Sequence, residues 1–302
     1  MDILIVGTGA LATLFAARLG AAGHPISMLG TWQEGIQALN THGARWVDGD
    51  GLEHSVPVHA TGDPQEVRGA CFALVLVKAW QTERAARQLT ECLATNGMAV
   101  TLQNGIGNRE ILARDLGPDR VALGVTTTGA TLLGPGLVCP GGEGVLSLER
   151  NPALGPVEVA LRSAGFQVEI VPDAESLVWG KLVINAAINP LTALLRVPNG
   201  ELLERPEARH LMADLAQEVA AVARAEGIRL LFENPVETVE EVARKTAANH
   251  SSMLQDVLRG APTEIDAICG AVTQRGKTVG VPTPVNAVCW QLVKAMAERA
   301  AW

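Results

Sequence analysis

Clustered positive charge is missing from this chain. Its 24 Lys and Arg are outnumbered by 32 Asp and Glu, giving a formal charge of −8. No basic run stands out, which argues against nucleic acid and anionic membrane as partners. The five cysteines (Cys71, Cys92, Cys139, Cys269 and Cys289) form no C-x-x-C pair and no ligand-like cluster. An odd, scattered set suits reduced thiols in the cytoplasm. The six histidines include no H-E-x-x-H, so no metal site is expected. No basic leader precedes the first apolar segment, and no run reaches the ~18 apolar residues a membrane span needs. Repeats and low-complexity tracts are absent too. What remains is a chain of 302 residues, 48% of them hydrophobic, enough for one large or two ordinary domains around a sizeable core.

The most informative segment is the first. Ile3–Val6 is a short apolar run suited to a buried parallel strand, and it leads straight into Gly7-Thr8-Gly9-Ala10-Leu11-Ala12. Leu11, Leu14, Phe15, Arg18 and Leu19 then follow at helical spacing. Strand, tight turn and helix in that order are the context a dinucleotide-binding fingerprint requires. Gly7 allows the sharp turn, Gly9 lets a pyrophosphate approach the backbone, and the free amides at the helix start receive its charge. Ala12 takes the place of the third glycine, an accepted variant. The bland alternative is a glycine-rich turn that merely packs a helix on a sheet.

Residues 1–171 alternate strands with helices. Strands are predicted at Ile3–Val6, Ile26–Leu29, Ala73–Val77, Met98–Leu102, Val121–Val125 and Phe166–Val171, and helices at Ala10–Ala22, Trp32–His42, Gln81–Ala94, Asn108–Leu116 and Pro156–Ala164. This pattern predicts an α/β fold, a Rossmann-type doubly wound parallel sheet. Two segments break it: Ala44–Ala60 and Ala130–Leu148 read as extended strands or hairpins. After Pro172 the strand signals stop. Residues 172–302 read as an all-helical domain, with helices at Ser176–Ile188, Pro206–Glu226, Val236–Lys245, Ser252–Arg259, Thr263–Gly276 and Pro284–Ala301. A ligand cleft between two such domains is expected. The long C-terminal helices leave room for a homodimer.

Several polar residues stand out against this background. Lys78 follows the run Ala73–Val77, at the carboxyl end of a strand where ligands bind in open α/β sheets; a solvated strand-end lysine is the alternative. Asn104, in Gln103-Asn104-Gly105-Ile106-Gly107, offers a donor and an acceptor to a carboxamide, or simply serves a turn. Lys181, Asn185 and Asn189 fall at i, i+4 and i+8, one stripe of a helix whose neighbours Val183, Ile184, Ala187 and Ile188 are apolar. Burying such groups without purpose is costly; an exposed polar stripe is the alternative. Ser252 stands three residues before Gln255, a capping box, so capping is its first reading. Glu264 follows Pro262-Thr263 near the start of a helix, where a carboxylate is favourable in any case.

Together these segments resemble the ketopantoate reductase (2-dehydropantoate 2-reductase) family. The resemblance spans nearly the whole chain: Gly7-x-Gly9-x-x-Ala12, Val77-Lys78-Ala79, Gln103-Asn104-Gly105-Ile106-Gly107, Lys181-x-x-x-Asn185-x-x-x-Asn189-Pro190-Leu191-Thr192, Ser251-Ser252-Met253-Leu254-Gln255-Asp256 and Thr263-Glu264-Ile265-Asp266. It implies hydride transfer from NADPH to the C2 ketone of 2-dehydropantoate, giving (R)-pantoate for pantothenate and coenzyme A synthesis, without a metal. It assigns Lys181 as general acid and Glu264 as a carboxylate holding the substrate hydroxyl. It makes Asn185, Asn189 and Ser252 substrate contacts, with Asn104 and Lys78 on the cofactor side. Two departures accompany it. Met28-Leu29-Gly30-Thr31-Trp32-Gln33 carries neither an acid for the NAD ribose nor a base for the NADP 2′-phosphate, leaving Thr31 or Gln33 to bond the phosphate. In Val138–Gly144 a histidine frequent in the family is replaced. The rival readings are a reductase of another 2-oxo acid, an opine-type dehydrogenase, and a non-catalytic NADP-binding sensor.

Overall fold

The computed structural model describes residues 3–298. The chain forms two compact units. One comprises the residues through Gln103 together with Asn108–Ala174; the other comprises Asn104–Gly107 and the residues from Glu175 onward.

Among the described residues the first unit holds twelve strands: β1 (Ile3–Val6), β2 (Ile26–Leu29), β3 (Ala44–Val47), β4 (Glu53–Val56), β5 (His59–Thr61), β6 (Ala70–Val75), β7 (Leu93–Thr101), β8 (Val121–Thr126), β9 (Ala130–Gly134), β10 (Leu137–Pro140), β11 (Val145–Glu149) and β12 (Gln167–Val171). Its helices are α1 (Ala10–Ala21), α2 (Gln33–His42), α3 (Thr82–Cys92), α4 (Asn108–Leu116) and α5 (Gly155–Ser163). Eight strands make one sheet in the order β12-β11-β8-β7-β6-β1-β2-β5. Every pairing in it is parallel except β11 with β8. The central strand β1 is buried along its length and feeds both faces. Ile3 and Ile5 join the core with Phe15, Leu19 and Phe166, whereas Leu4 and Val6 join the core with Ala85, Leu89 and Leu112. Period-two alternation thus places helices on both sides of the sheet.

The two segments that broke the strand–helix rhythm pair with each other. They form a four-stranded sheet, β4-β3-β10-β9, in which β3 and β10 run parallel although some ninety residues separate them. This sheet packs on α1.

The second unit is helical: α6 (Ala174–Leu195), α7 (Glu201–Glu204), α8 (Pro206–Ala225), α9 (Pro235–Lys245), α10 (Ser252–Leu258), α11 (Ala271–Val279) and α12 (Pro284–Glu298). The predicted extension of the last helix to Ala301 lies outside the described residues. Two local expectations are corrected. The helix predicted to end at Ile188 continues to Leu195, straight through Pro190. Proline inside a helix costs about 3 kcal/mol and leaves the carbonyl four residues back without its donor. That carbonyl, on Ala186, meets the Cys269 thiol at 3.9 Å. Burial of Leu182, Val183, Ile188 and Leu191, roughly 1.5–3 kcal/mol each, outweighs the cost. The helix predicted over Thr263–Gly276 is likewise not uniform: Asp266–Gly270 is a π-helical turn, and α11 begins only after it.

By length and composition alone α6 is long and apolar enough to cross a membrane, yet most of it is buried inside the protein. A core helix has the same signature.

Candidate active site

In the first unit the β1–α1 connection carries two glycines with different surroundings. Gly7 has φ +133, and a Cβ there would lie 3.2 Å from the Leu76 carbonyl and 3.3 Å from the Ala12 Cβ. Glycine at this position is therefore a requirement of the fold, and so is a small residue at 12. Gly9 differs. Its φ of −85 and ψ of −170 suit any residue, and a Cβ there would meet nothing within 4 Å. Packing gives no reason for glycine at 9, whereas its place at the start of α1 and a pyrophosphate approaching the backbone both suit one. Gly9 also starts α1 without a side-chain cap and without an acidic residue in the first turn. The helix presents its Ala10, Leu11 and Ala12 end uncapped, the arrangement that receives a phosphate. Thr8 is buried, its side chain 2.6–2.8 Å from where a Cβ on Gly30 would stand. Thr31, just after β2, is exposed, and no charged side chain accompanies it between Gly30 and Gln33.

Lys78 is half-buried at the start of a short 3₁₀ turn, three residues beyond the end of β6. That loop is held by Gln103, which donates to the Val77 carbonyl at 3.0 Å and to Thr82 Oγ1 at 2.8 Å, and by Thr82, which bonds Asn108 Oδ1 at 2.8 Å.

The second unit assembles three of the expected residues. Glu264 is 5% exposed, and its Oε2 accepts from Asn104 Nδ2 at 3.0 Å. Asn104 reaches it because the loop docks on the π-helical turn: Ile106 N donates to the Ala267 carbonyl at 3.1 Å. Gly105, with φ +80, passes so close to that carbonyl that no side chain fits. Lys181 is half-buried on α6. Burial pushes its amine down from 10.5 to about 8, and the Glu264 carboxylate beside it opposes that fall. An amine near 8 exchanges protons readily at neutral pH, and a carboxylate and an amide donor stand with it.

Asn185 and Asn189 extend the Lys181 stripe along α6, half-buried and buried respectively. The capping assignment for Ser252 is corrected: Ser251 is the N-cap of α10, accepting from Leu254 N at 3.1 Å. Ser251 Oγ also pairs with Thr192 Oγ1 on α6 at 2.7 Å, so α10 is tied to the helix carrying Lys181. Ser252 is the first residue of α10 and half-buried, relieved of the capping duty. Sequence reading missed the π-helical turn after Glu264. The available signal was Gly270 in mid-helix, where a regular helix gains nothing from glycine.

Comparison with known proteins fits this picture. The family model "Ketopantoate reductase PanE/ApbA" matches residues 3–152, and "Ketopantoate reductase PanE/ApbA C terminal" matches residues 173–297. The chain is 37% identical to the 2-dehydropantoate 2-reductase of Archaeoglobus fulgidus, over 97% of both chains. It superposes with a TM-score of 0.92 on the PanE/ApbA family ketopantoate reductase from Ralstonia eutropha JMP134, 31% identical over 100% of both chains. A D-mandelate dehydrogenase solved with NADH and anilino(oxo)acetate also gives a TM-score of 0.92, at 26% identity and full coverage of both chains.

Proposed function

Because this chain belongs to the ketopantoate reductase family, we propose that it reduces 2-dehydropantoate to (R)-pantoate at the expense of NADPH. The observation that carries the reading is the Lys181–Glu264–Asn104 group, an amine of lowered basicity beside a buried carboxylate that an amide orients. NADPH, when bound, supplies the hydride. The open face of Gly9 and the uncapped start of α1 take its pyrophosphate, with Gly7, Thr8, Ala10, Leu11 and Ala12 shaping the cradle. Lys78 and Asn104 serve the cofactor side and Thr31 the ribose end.

As hydride arrives at C2, charge gathers on the ketone oxygen. The Lys181 ammonium stabilises that charge more in the transition state than in the ground state, then gives up its proton to the alkoxide. Glu264 accepts from the substrate hydroxyl, and Asn104, Asn185, Asn189 and Ser252 orient the remaining polar groups. The absence of an acid between Gly30 and Gln33 supports NADPH over NADH. Val288 and Leu292, about half exposed on α12, support a homodimer through that helix.

A second reading has its own support: the likeness to a D-mandelate dehydrogenase favours a reductase of an aryl 2-oxo acid. Steady-state NADPH oxidation with 2-dehydropantoate, beside the 2-oxo acid of mandelate and a branched aliphatic 2-oxo acid, decides between them. The proposal requires the highest kcat/KM for 2-dehydropantoate, and a preference for the aryl acid replaces it with the second reading.

A further inference from the structure

The π-helical turn Asp266–Gly270 is the hub on which the second unit's site residues are aligned. The amides of Ala267 and Ile268 in it donate back to the Glu264 carbonyl at 3.1 and 3.2 Å. Its Ala267 carbonyl receives Ile106 N, which brings Asn104 to Glu264. Its Cys269 thiol faces the Ala186 carbonyl that Pro190 leaves open on the Lys181 helix. A π-helical turn has poorer geometry than an α-helical one and persists where something holds it.

One side chain on α12 holds both of its ends. Trp290 Nε1 donates to Asp266 Oδ1 at 2.6 Å, at the first residue of the turn. The same indole lies on Gly270, the last residue, so closely that a Cβ there would fall 2.9 Å from Nε1 and from Cε2. Lys294 Nζ also reaches Asp266 Oδ1 at 3.1 Å, but that pair is half exposed and contributes little. We propose that Trp290 is a positioning residue, whose indole clamps the π-helical turn by Asp266 and Gly270 and thereby sets where Glu264 and Asn104 stand relative to Lys181. The inference rests on the proposed reductase reading for the meaning of Glu264 as a substrate contact, while the clamp itself can be tested without substrate.

The test compares Trp290→Phe, Asp266→Ala and Asp266→Asn with the parent protein. Phenylalanine keeps a ring against Gly270 but loses the N–H; alanine removes the acceptor; asparagine keeps an oxygen for the indole. The substrate-free readout is titration of Lys181 by the ¹³Cε resonance, practicable in a chain with five lysines (Lys78, Lys181, Lys245, Lys277 and Lys294). Glu264 supplies the charge that opposes the fall in Lys181 basicity, so displacing it lowers the titration midpoint by about one unit. Trp290→Phe and Asp266→Ala are expected to show that shift, and Asp266→Asn to restore the parent value. In turnover the same two variants raise KM for 2-dehydropantoate about tenfold, with kcat less affected and NADPH affinity unchanged. A folded Trp290→Phe with the parent midpoint and KM overturns the clamp, as does an Asp266→Asn that behaves like Asp266→Ala. Should Trp290→Phe fail to fold, the two variants of the exposed Asp266 decide alone. Should the parent protein leave 2-dehydropantoate untouched, the substrate reading falls while the Lys181 titration still judges the clamp.

Discussion

Two glycines with one residue between them show how the loop is written at the scale of single residues. Packing requires glycine at 7 but not at 9, and Gly9 is the residue proposed to admit a ligand. Gly9→Ala is expected to lower the melting temperature by only about a few degrees, as for a changed helix N-cap, while weakening NADPH binding about tenfold or more, measured by fluorescence titration of the cofactor; undiminished affinity would remove the pyrophosphate from this loop. Lys181→Ala is expected to lower kcat about 10²-fold or more, the usual size of a positioned proton donor. The pH dependence has a definite sign. With Lys181 as the proposed proton donor, kcat for reduction is expected to decline as pH rises through about 8, and the reverse oxidation to gain over the same range. Glu264→Gln removes the charge that holds the amine's basicity up, so the declining limb moves to lower pH. The stripe of Lys181, Asn185 and Asn189 was legible from helical spacing because α6 is regular there. The capping role of Ser251 was not, because two adjacent serines offer the same chemistry and one residue of register separates them.

At the scale of elements, the alternation of short apolar strands with helices is enough to read the parallel sheet, since strands buried on both faces are near-continuous apolar runs. The partnership of β3 with β10 was not readable: two extended segments far apart in sequence carry no local mark of pairing with each other. The continuation of α6 through Pro190 escaped for a related reason. A local rule stops a helix at proline, and the burial that overrides it comes from residues distant in sequence. The end of α6 gives an element-scale prediction. Arg196 has φ +56 and is exposed, while Val197 N bonds back to the Thr192 carbonyl at 3.2 Å, a helix ending that glycine suits best. Arg196→Gly is expected to stabilise the protein by about 1 kcal/mol, seen as a higher urea midpoint at unchanged slope. A lower midpoint would mean that the arginine side chain contributes more than its backbone costs.

For the whole molecule, membership of the ketopantoate reductase family joins a nucleotide-binding unit and a helical unit in one catalytic chain. Cofactor preference belongs to this scale, because it compares two complete enzyme–cofactor complexes. The uncharged stretch Gly30-Thr31-Trp32-Gln33 leads us to expect a kcat/KM ratio of NADPH to NADH above one; a ratio at or below one would assign the β2 end to NADH. The most direct test of the central claim follows NADPH consumption with 2-dehydropantoate as pH is varied, in the parent protein and in Lys181→Ala. The account predicts substrate-dependent oxidation whose kcat declines through about pH 8 in the parent, and a flat profile at least about a hundredfold lower in the variant. A variant that keeps the parent rate within a few-fold, with the same limb, would contradict it.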